Sequence, residues 1–156
     1  MKVRDIMTQP PETCHAHTNL ATASRRMKHS GTGMLVVLDD RSRLEGIVTD
    51  RDLALAIGGP SHDAGSQPVE HAMTRRVHTC HADDDLHHAL AKMARTHVRR
   101  LPVLDSDGDL TGVISIDDVI LWGVARGGVT PRELAGALRG ISAAHTVTPS
   151  ADLPAF

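Results

Sequence analysis

Apolar residues fall along this chain in two rhythms. Leu20, Ala23 and Met27 recur at helical spacing, as do Leu86, Ala89, Leu90 and Met93. Around them lie short apolar runs bounded by turn residues: Met34 to Leu38, Leu44 to Thr49, Arg100 to Leu104 and Leu110 to Ser115. Their length and β-branched content predict buried strands. Shorter strands are predicted at Thr13 to His15 and Val77 to Cys80. Thr18 is placed to cap the first helix, and Asp84 or Asp85 the second. Two further helices are predicted, one from Asp50 to Ile57 and one from Ile116 to about Val124, each stopped by glycines. A last helix opens at Thr130-Pro131-Arg132-Glu133, a capping box with proline at the first helical position, and carries a narrow stripe of Leu134, Leu138 and Ile141.

The order strand, helix, strand, strand, helix therefore occurs twice. The residues repeat with it, at an offset of 66 positions. Met7-Thr8 returns as Met73-Thr74, Thr13-Cys14-His15-Ala16 as Thr79-Cys80-His81-Ala82, and Leu35, Val37, Leu38 and Asp39 as Leu101, Val103, Leu104 and Asp105. From residue 5 to residue 53 no gap is needed, and about a third of the positions are identical, which marks an internal repeat. A unit of this size is near the lower limit for independent folding, so the copies are expected to share a core. The units are placed at 1–57 and 69–124, with a Gly, Pro, Ser, His and Asp rich linker at 58–68. The appended helix is placed at 129–145 and a frayed tail at 146–156.

Each unit closes on the same stretch: Gly46-Ile47-Val48-Thr49-Asp50-Arg51-Asp52, then Gly112-Val113-Ile114-Ser115-Ile116-Asp117-Asp118. Apolar residues run into a hydroxyl, and a carboxylate follows three positions later, which is a strand entering a helix through a cap box. The junction gathers a hydroxyl, a carboxylate and helix-terminal N–H groups, a set suited to a sugar and its phosphate.

Composition narrows the function. The chain has one Phe, one Trp, no Tyr and a net charge of −2, so neither base stacking nor a basic footprint for nucleic acid is present. No apolar run reaches about 18 residues and the N-terminus has no signal-like apolar region, so no membrane partner and a cytoplasmic setting are expected. Cys14 and Cys80 occupy equivalent strand positions and are expected to be buried free thiols. The 11 histidines form no C-x-x-C or H-E-x-x-H pattern, so no metal ligands are assigned. No Walker loop or nucleophile elbow appears, and no residue is assigned a catalytic role.

The doubled signature resembles that of the cystathionine β-synthase (CBS) domain, which occurs in tandem pairs. Asp5-Ile6-Met7-Thr8, His71-Ala72-Met73-Thr74 and Arg99-Arg100-Leu101-Pro102-Val103-Leu104-Asp105 add to the likeness, which covers residues 1–124. The resemblance implies an α+β fold of two pseudo-twofold-related β-α-β-β-α units packed as a CBS pair, here with a short C-terminal helix. It also implies two clefts that take adenosine-containing ligands such as AMP, ADP, ATP or S-adenosylmethionine, and pairing into a disc-like homodimer. No cofactor is then required; an adenine nucleotide would act as regulatory ligand, and the protein as a sensor reporting to an effector protein.

On that resemblance Asp52 and Asp118 accept the ribose hydroxyls, assisted by Thr49 and Ser115. The blander alternative is a pair of helix caps, each contributing about 1 kcal/mol. Arg51, Arg99 and Arg100 are candidates for phosphate, since a guanidinium fork suits its oxygens. Asp117 would repel phosphate. The apolar candidates around adenine are Ile6, Cys14, Met34, Val36, Pro102 and Ile114, each equally placed to be simple core. Two rival functions stand beside the nucleotide sensor: a ligand-free interaction or dimerisation module, and a metal or redox sensor using His and Cys.

Overall fold

The computed structural model describes residues 1–58 and 63–143. Two three-stranded sheets carry the fold. The first holds β1 (Thr13–His15), β2 (Met34–Leu38) and β3 (Leu44–Thr49); the second holds β4 (Cys80–His81), β5 (Arg100–Leu104) and β6 (Leu110–Ser115). In each, the first strand runs parallel to the middle one and the last runs antiparallel. The parallel pair is bridged by a helix, α1 (Leu20–Ser30) or α3 (Leu86–Thr96), as a parallel connection requires. The signatures open α2 (Asp50–Ile57) and α4 (Ile116–Asp118).

Local chemistry sets the ends of these elements. Asn19, not Thr18, caps α1, accepting from the Thr22 N–H at 2.8 Å. The Thr18 hydroxyl is already accepting from the His15 N–H, which leaves the next polar residue to the helix. Asp85 caps α3 and Asp84 closes the turn before it, accepting from the His81 N–H. The strand expected at Val77 to Cys80 shrinks to Cys80–His81. In the first sheet the Val36 N–H donates to the Glu12 carbonyl at 3.0 Å and extends the ladder. Pro102 stands at the equivalent place and has no N–H to donate. The helix after the second signature widens into a π turn over Val119–Val124, where the first continues as regular α-helix.

Instead of the one shared core expected of such short units, the described buried residues form two clusters, one per repeat, each completed by the other repeat's lead-in. Val3 and Ile6 are buried in the cluster of Leu86, Met93, Leu101 and Ile114, whereas Val69 is buried with Leu20, Leu35 and Val48. Thr8 and Val113 exchange backbone hydrogen bonds at the edge of β6, and Thr74 and Ile47 do the same at β3. Arg4 pairs with Asp83, and Arg75 with Glu45, so both lead-ins are also tied by charge. Such close approach explains the signature glycines. A Cβ on Gly112 would sit 2.9 Å from the Met7 sulfur and the Thr8 carbonyl oxygen; one on Gly46 would sit 3.0 Å from Met73 and Thr74. Part of the expected linker is likewise ordered against the first unit: the carbonyls of Ala64 and Gln67 accept from Ala21 and Leu20. Linker residues 59–62 and the expected tail at 146–156 lie outside the described residues.

The appended helix, α5 (Pro131–Ala143), packs on α3. Thr130 and Glu133 form its capping box. Ala137 and Ile141 are buried, with Leu134 and Leu138 packed beside them, so the stripe covers the second repeat's core. His97 bonds to the Gly140 carbonyl at 2.8 Å and His87 approaches Glu133 at 3.4 Å, one near each end of the helix.

Candidate functional site

Both signatures fold as reciprocal caps. The Ser115 N–H and hydroxyl donate to Asp118 Oδ2 at 2.8 and 2.6 Å, and the Asp118 N–H returns to the hydroxyl at 3.1 Å. Thr49 and Asp52 repeat this at 2.8, 2.7 and 3.3 Å. The geometry follows from a strand that ends in a hydroxyl residue with extended backbone, so its side chain faces the helix N–H three residues on. One carboxylate oxygen of each aspartate is thereby occupied. The other, Oδ1, makes no hydrogen bond with a described residue and can accept from a ligand. All four residues are half-buried.

In front of Ser115 and Asp118 lies a cavity of about 290 Å³ built by both repeats. Arg100, Val113, Asp117 and the cap pair come from the second. Gly31, Thr32 and Met34 come from the first, at the end of α1 and the start of β2. The lead-in contributes Thr8, Pro10, Pro11 and Glu12. Arg100 pairs with Ser115 in the β5–β6 ladder, which sets its side chain at this opening. A second cavity of about 690 Å³ adjoins the first through Gly31, Thr32 and Arg100 and runs along Met27, Lys28, Leu53 and Ile57.

The structure thus brings together Ser115, Asp118, Arg100 and Met34. Of the remaining candidates, Thr49 and Asp52 form their cap at the other signature, and Asp50 beside them lines the larger cavity. Arg51 and Arg99 are exposed and line neither opening; the Arg99 carbonyl accepts from the Ile116 N–H. Ile6, Cys14 and Ile114 belong to the two cores, and Val36 and Pro102 are buried. Val113, one residue before Ile114, lines the cavity instead. Thr8, Pro10, Pro11 and Glu12 were not legible as site residues, because they precede Ser115 by about a hundred positions. Their only signal is indirect: a glycine at 112 leaves room for a neighbouring chain.

Burial pushes the Cys14 thiol up to about 11 and the Cys80 thiol to about 12. Both are free and sit in β1 and β4, as the sequence predicts. Among the described residues no three His, Cys, Asp or Glu side chains gather as a metal set. No described helix is long and apolar enough to cross a membrane.

Comparison with known proteins agrees with this architecture. A family model described as the CBS domain matches residues 3–59 and 69–124. The protein YlbB of Bacillus subtilis is 36% identical over 124 residues, which cover 77% of this chain and 80% of that protein. An L-aspartate semialdehyde sulfurtransferase of Methanocaldococcus jannaschii is 28% identical over 117 residues, 75% of this chain; the match spans only 22% of the enzyme. Among solved structures, the CBS domain pair of protein MJ0100, in complex with 5′-methylthioadenosine and S-adenosyl-L-methionine, superposes with a TM-score of 0.72 at 26% identity, covering 81% of this chain and 98% of that one. CBSX2 in complex with AMP superposes with a TM-score of 0.69, also at 26% identity, covering 81% and 98%.

Proposed function

The chain belongs to the CBS-domain family and carries the domain twice, and from that premise we propose that it is a regulatory module holding an adenosine-containing ligand between its repeats. The observation that carries this reading is the cavity at Ser115 and Asp118. It pairs an aspartate oxygen open to a vicinal diol with a wall supplied by the other repeat. A ligand there touches both units at once, so its binding free energy bears on how they sit together, which is what a sensor needs. The adenosine ligands of the two solved relatives support the ligand class. Two unpaired thiols suit a reducing compartment, in line with a cytoplasmic setting.

Calorimetry and thermal melting with adenosine, AMP, ATP and S-adenosylmethionine test the proposal. At about 100 times Kd a ligand stabilises the fold by roughly 2.7 kcal/mol. Asp118→Ala removes the diol acceptor and should abolish the part of that gain owed to its cavity. Unchanged binding of every ligand to an Asp52→Ala, Asp118→Ala double variant would overturn the reading.

The assembly is proposed to be a homodimer. Leu55 (66% exposed) and Ile57 on α2, and Ile120, Leu121 (61%) and Trp122 (48%) on the π turn, form two apolar surfaces at matching places in the repeats. Surfaces of this kind mark association sites in a soluble chain. Light scattering should give twice the chain mass, and Leu121→Glu should shift it towards one. A single-chain mass at micromolar concentration in the unmodified protein would refute the dimer.

A further inference from the structure

The cavity that joins the two repeats is acidic. Glu12, Asp117 and Asp118 line it beside one guanidinium, Arg100. If the open oxygen of Asp118 takes the ribose, Glu12 and Asp117 remain as two carboxylates against one cation. Neither forms an ion pair with a described residue, and neither does Arg100. The two come from different segments, the lead-in and α4, so the acidity belongs to the assembled opening and not to one helix end.

The first repeat shows what the alternative looks like. At the position of Asp117 the first signature has Arg51, at that of Ile116 it has Asp50, and at that of Arg100 the first repeat has Met34; the lead-in that runs beside the first signature is the second repeat's, with His78 at the position of Glu12. The acidic character is therefore not demanded by the backbone, which is the same in both signatures. It comes from Asp117 on the second signature together with Glu12 on the first repeat's lead-in.

From these charges we infer that the cavity at Ser115 and Asp118 selects adenosine derivatives of low or positive charge, such as a nucleoside or a sulfonium nucleoside, and discriminates against nucleoside polyphosphates. The inference rests on the reading of this cavity as an adenosine site. Arg100 can meet one anionic group. Each further phosphate would face Glu12 and Asp117 without a second cation lining the cavity. At contact distance a charge pair changes affinity by roughly fivefold even at the dielectric of water and by far more near a protein surface, so a difference of about tenfold or more is expected.

The test is calorimetry at low ionic strength on the full chain carrying Asp52→Ala, so that binding at the other signature is removed. Adenosine and S-adenosylmethionine should bind at least as tightly as AMP, and ATP more weakly than adenosine by about tenfold or more. Asp117→Arg, which copies the first repeat, should tighten ATP relative to adenosine by about tenfold. Adding 0.5 M salt should narrow the gap between ATP and adenosine, because exposed charges are screened. ATP binding as tightly as adenosine, or an Asp117→Arg variant in which ATP does not gain on adenosine, would overturn the inference while leaving the adenosine site intact. Binding of none of the four ligands would overturn both. Should Asp52→Ala fail to fold, amide exchange in the unmodified chain gives the same reading. Protection of residues 113–118 by adenosine but not by ATP supports the selectivity, and equal protection by both refutes it.

Discussion

The two repeats have the same strand order, register and cap geometry, yet they treat their outer faces and their charges differently. The second repeat is covered by α5, which buries Ala137 and Ile141 against α3. At the corresponding side of the first repeat, Met27, Leu53 and Ile57 border the larger of the two cavities. The second signature continues Ile116-Asp117, with Ile116 buried; the first continues Asp50-Arg51, with both residues exposed. Geometry is kept at positions where a change would disturb the backbone, such as Gly46 and Gly112. Chemistry differs where the side chain meets solvent. The duplicated frame thus supplies two equivalent junctions, and the substitutions on it make them unequal.

The sharpest way to break this comparison is to uncover the second repeat. Ile141→Ala removes a side chain that is 3% exposed and packs with α3 and the π turn. A loss of about 2–5 kcal/mol is expected in chemical denaturation. Leu53→Ala in the first repeat, which no described appended helix covers, should reduce stability within the same range but without loosening α5 in hydrogen exchange. If Ile141→Ala costs less than about 1 kcal/mol, α5 is not part of the second core.

Next in size are the signature glycines. Gly112→Ala places a methyl group against the Thr8 carbonyl and the Met7 sulfur; the sulfur can swing away, the carbonyl cannot without shifting the lead-in. Overpacking of this kind costs about 1–3 kcal/mol. Gly46→Ala, with almost the same clearance from Thr74 and Met73, should cost a similar amount. A large loss at one glycine and none at the other would mean that the lead-ins are not equivalently seated.

Much of this arrangement is legible in the residues. Periodicity and turn chemistry locate β2, β3, β5, β6 and the four longer helices, and within the repeats the offset of 66 positions makes each strand assignment twice. The doubled hydroxyl and aspartate lead directly to the caps. The exchange of lead-ins is not legible, because contacts such as Val3 with Leu86 or Val69 with Leu20 span distant positions and leave no local period. Thr18 and Asn19 are adjacent and both can cap; the choice depends on His15, whose N–H takes the threonine. Pro102 is visible in the sequence, but its effect on β4 follows only once the strand beside it is known. Glu12 joins the site for the same reason, since folding alone brings it to Asp117.

The caps offer a smaller effect. Ser115→Ala leaves the Asp118 N–H without its hydroxyl acceptor, and the aspartate keeps only the bond from the backbone N–H of residue 115. A loss of about 1 kcal/mol is expected from urea unfolding, and Thr49→Ala should match it. Because α2 is a regular helix and α4 passes at once into a π turn, a larger loss at Ser115 would show that the widened turn depends on its cap.

The smallest expected difference lies between the thiols, and it sets the repeats apart by their nearest charges. Burial is the leading cause in both: it moves Cys14 from 9.0 to about 11 and Cys80 from 9.0 to about 12. Arg26 favours the Cys14 thiolate and Lys92, at the equivalent position, favours that of Cys80, but Asp84 opposes the Cys80 thiolate more strongly and has no counterpart beside Cys14. A thiol whose folded value exceeds its unfolded value favours the folded state fully below the unfolded value. That contribution is lost as pH rises through the folded value. Stability should accordingly begin to fall above about pH 9, with the Cys14 contribution exhausted near 11 and that of Cys80 near 12. At neutral pH both groups are protonated and labelling by iodoacetamide should be slow, since the thiolate is the nucleophile. As pH is raised, Cys14 should label first, followed by mass spectrometry of the tryptic peptides. Rapid labelling of Cys80 ahead of Cys14 would mean that access, not ionisation, sets the order, and that Asp84 does not distinguish the two strands.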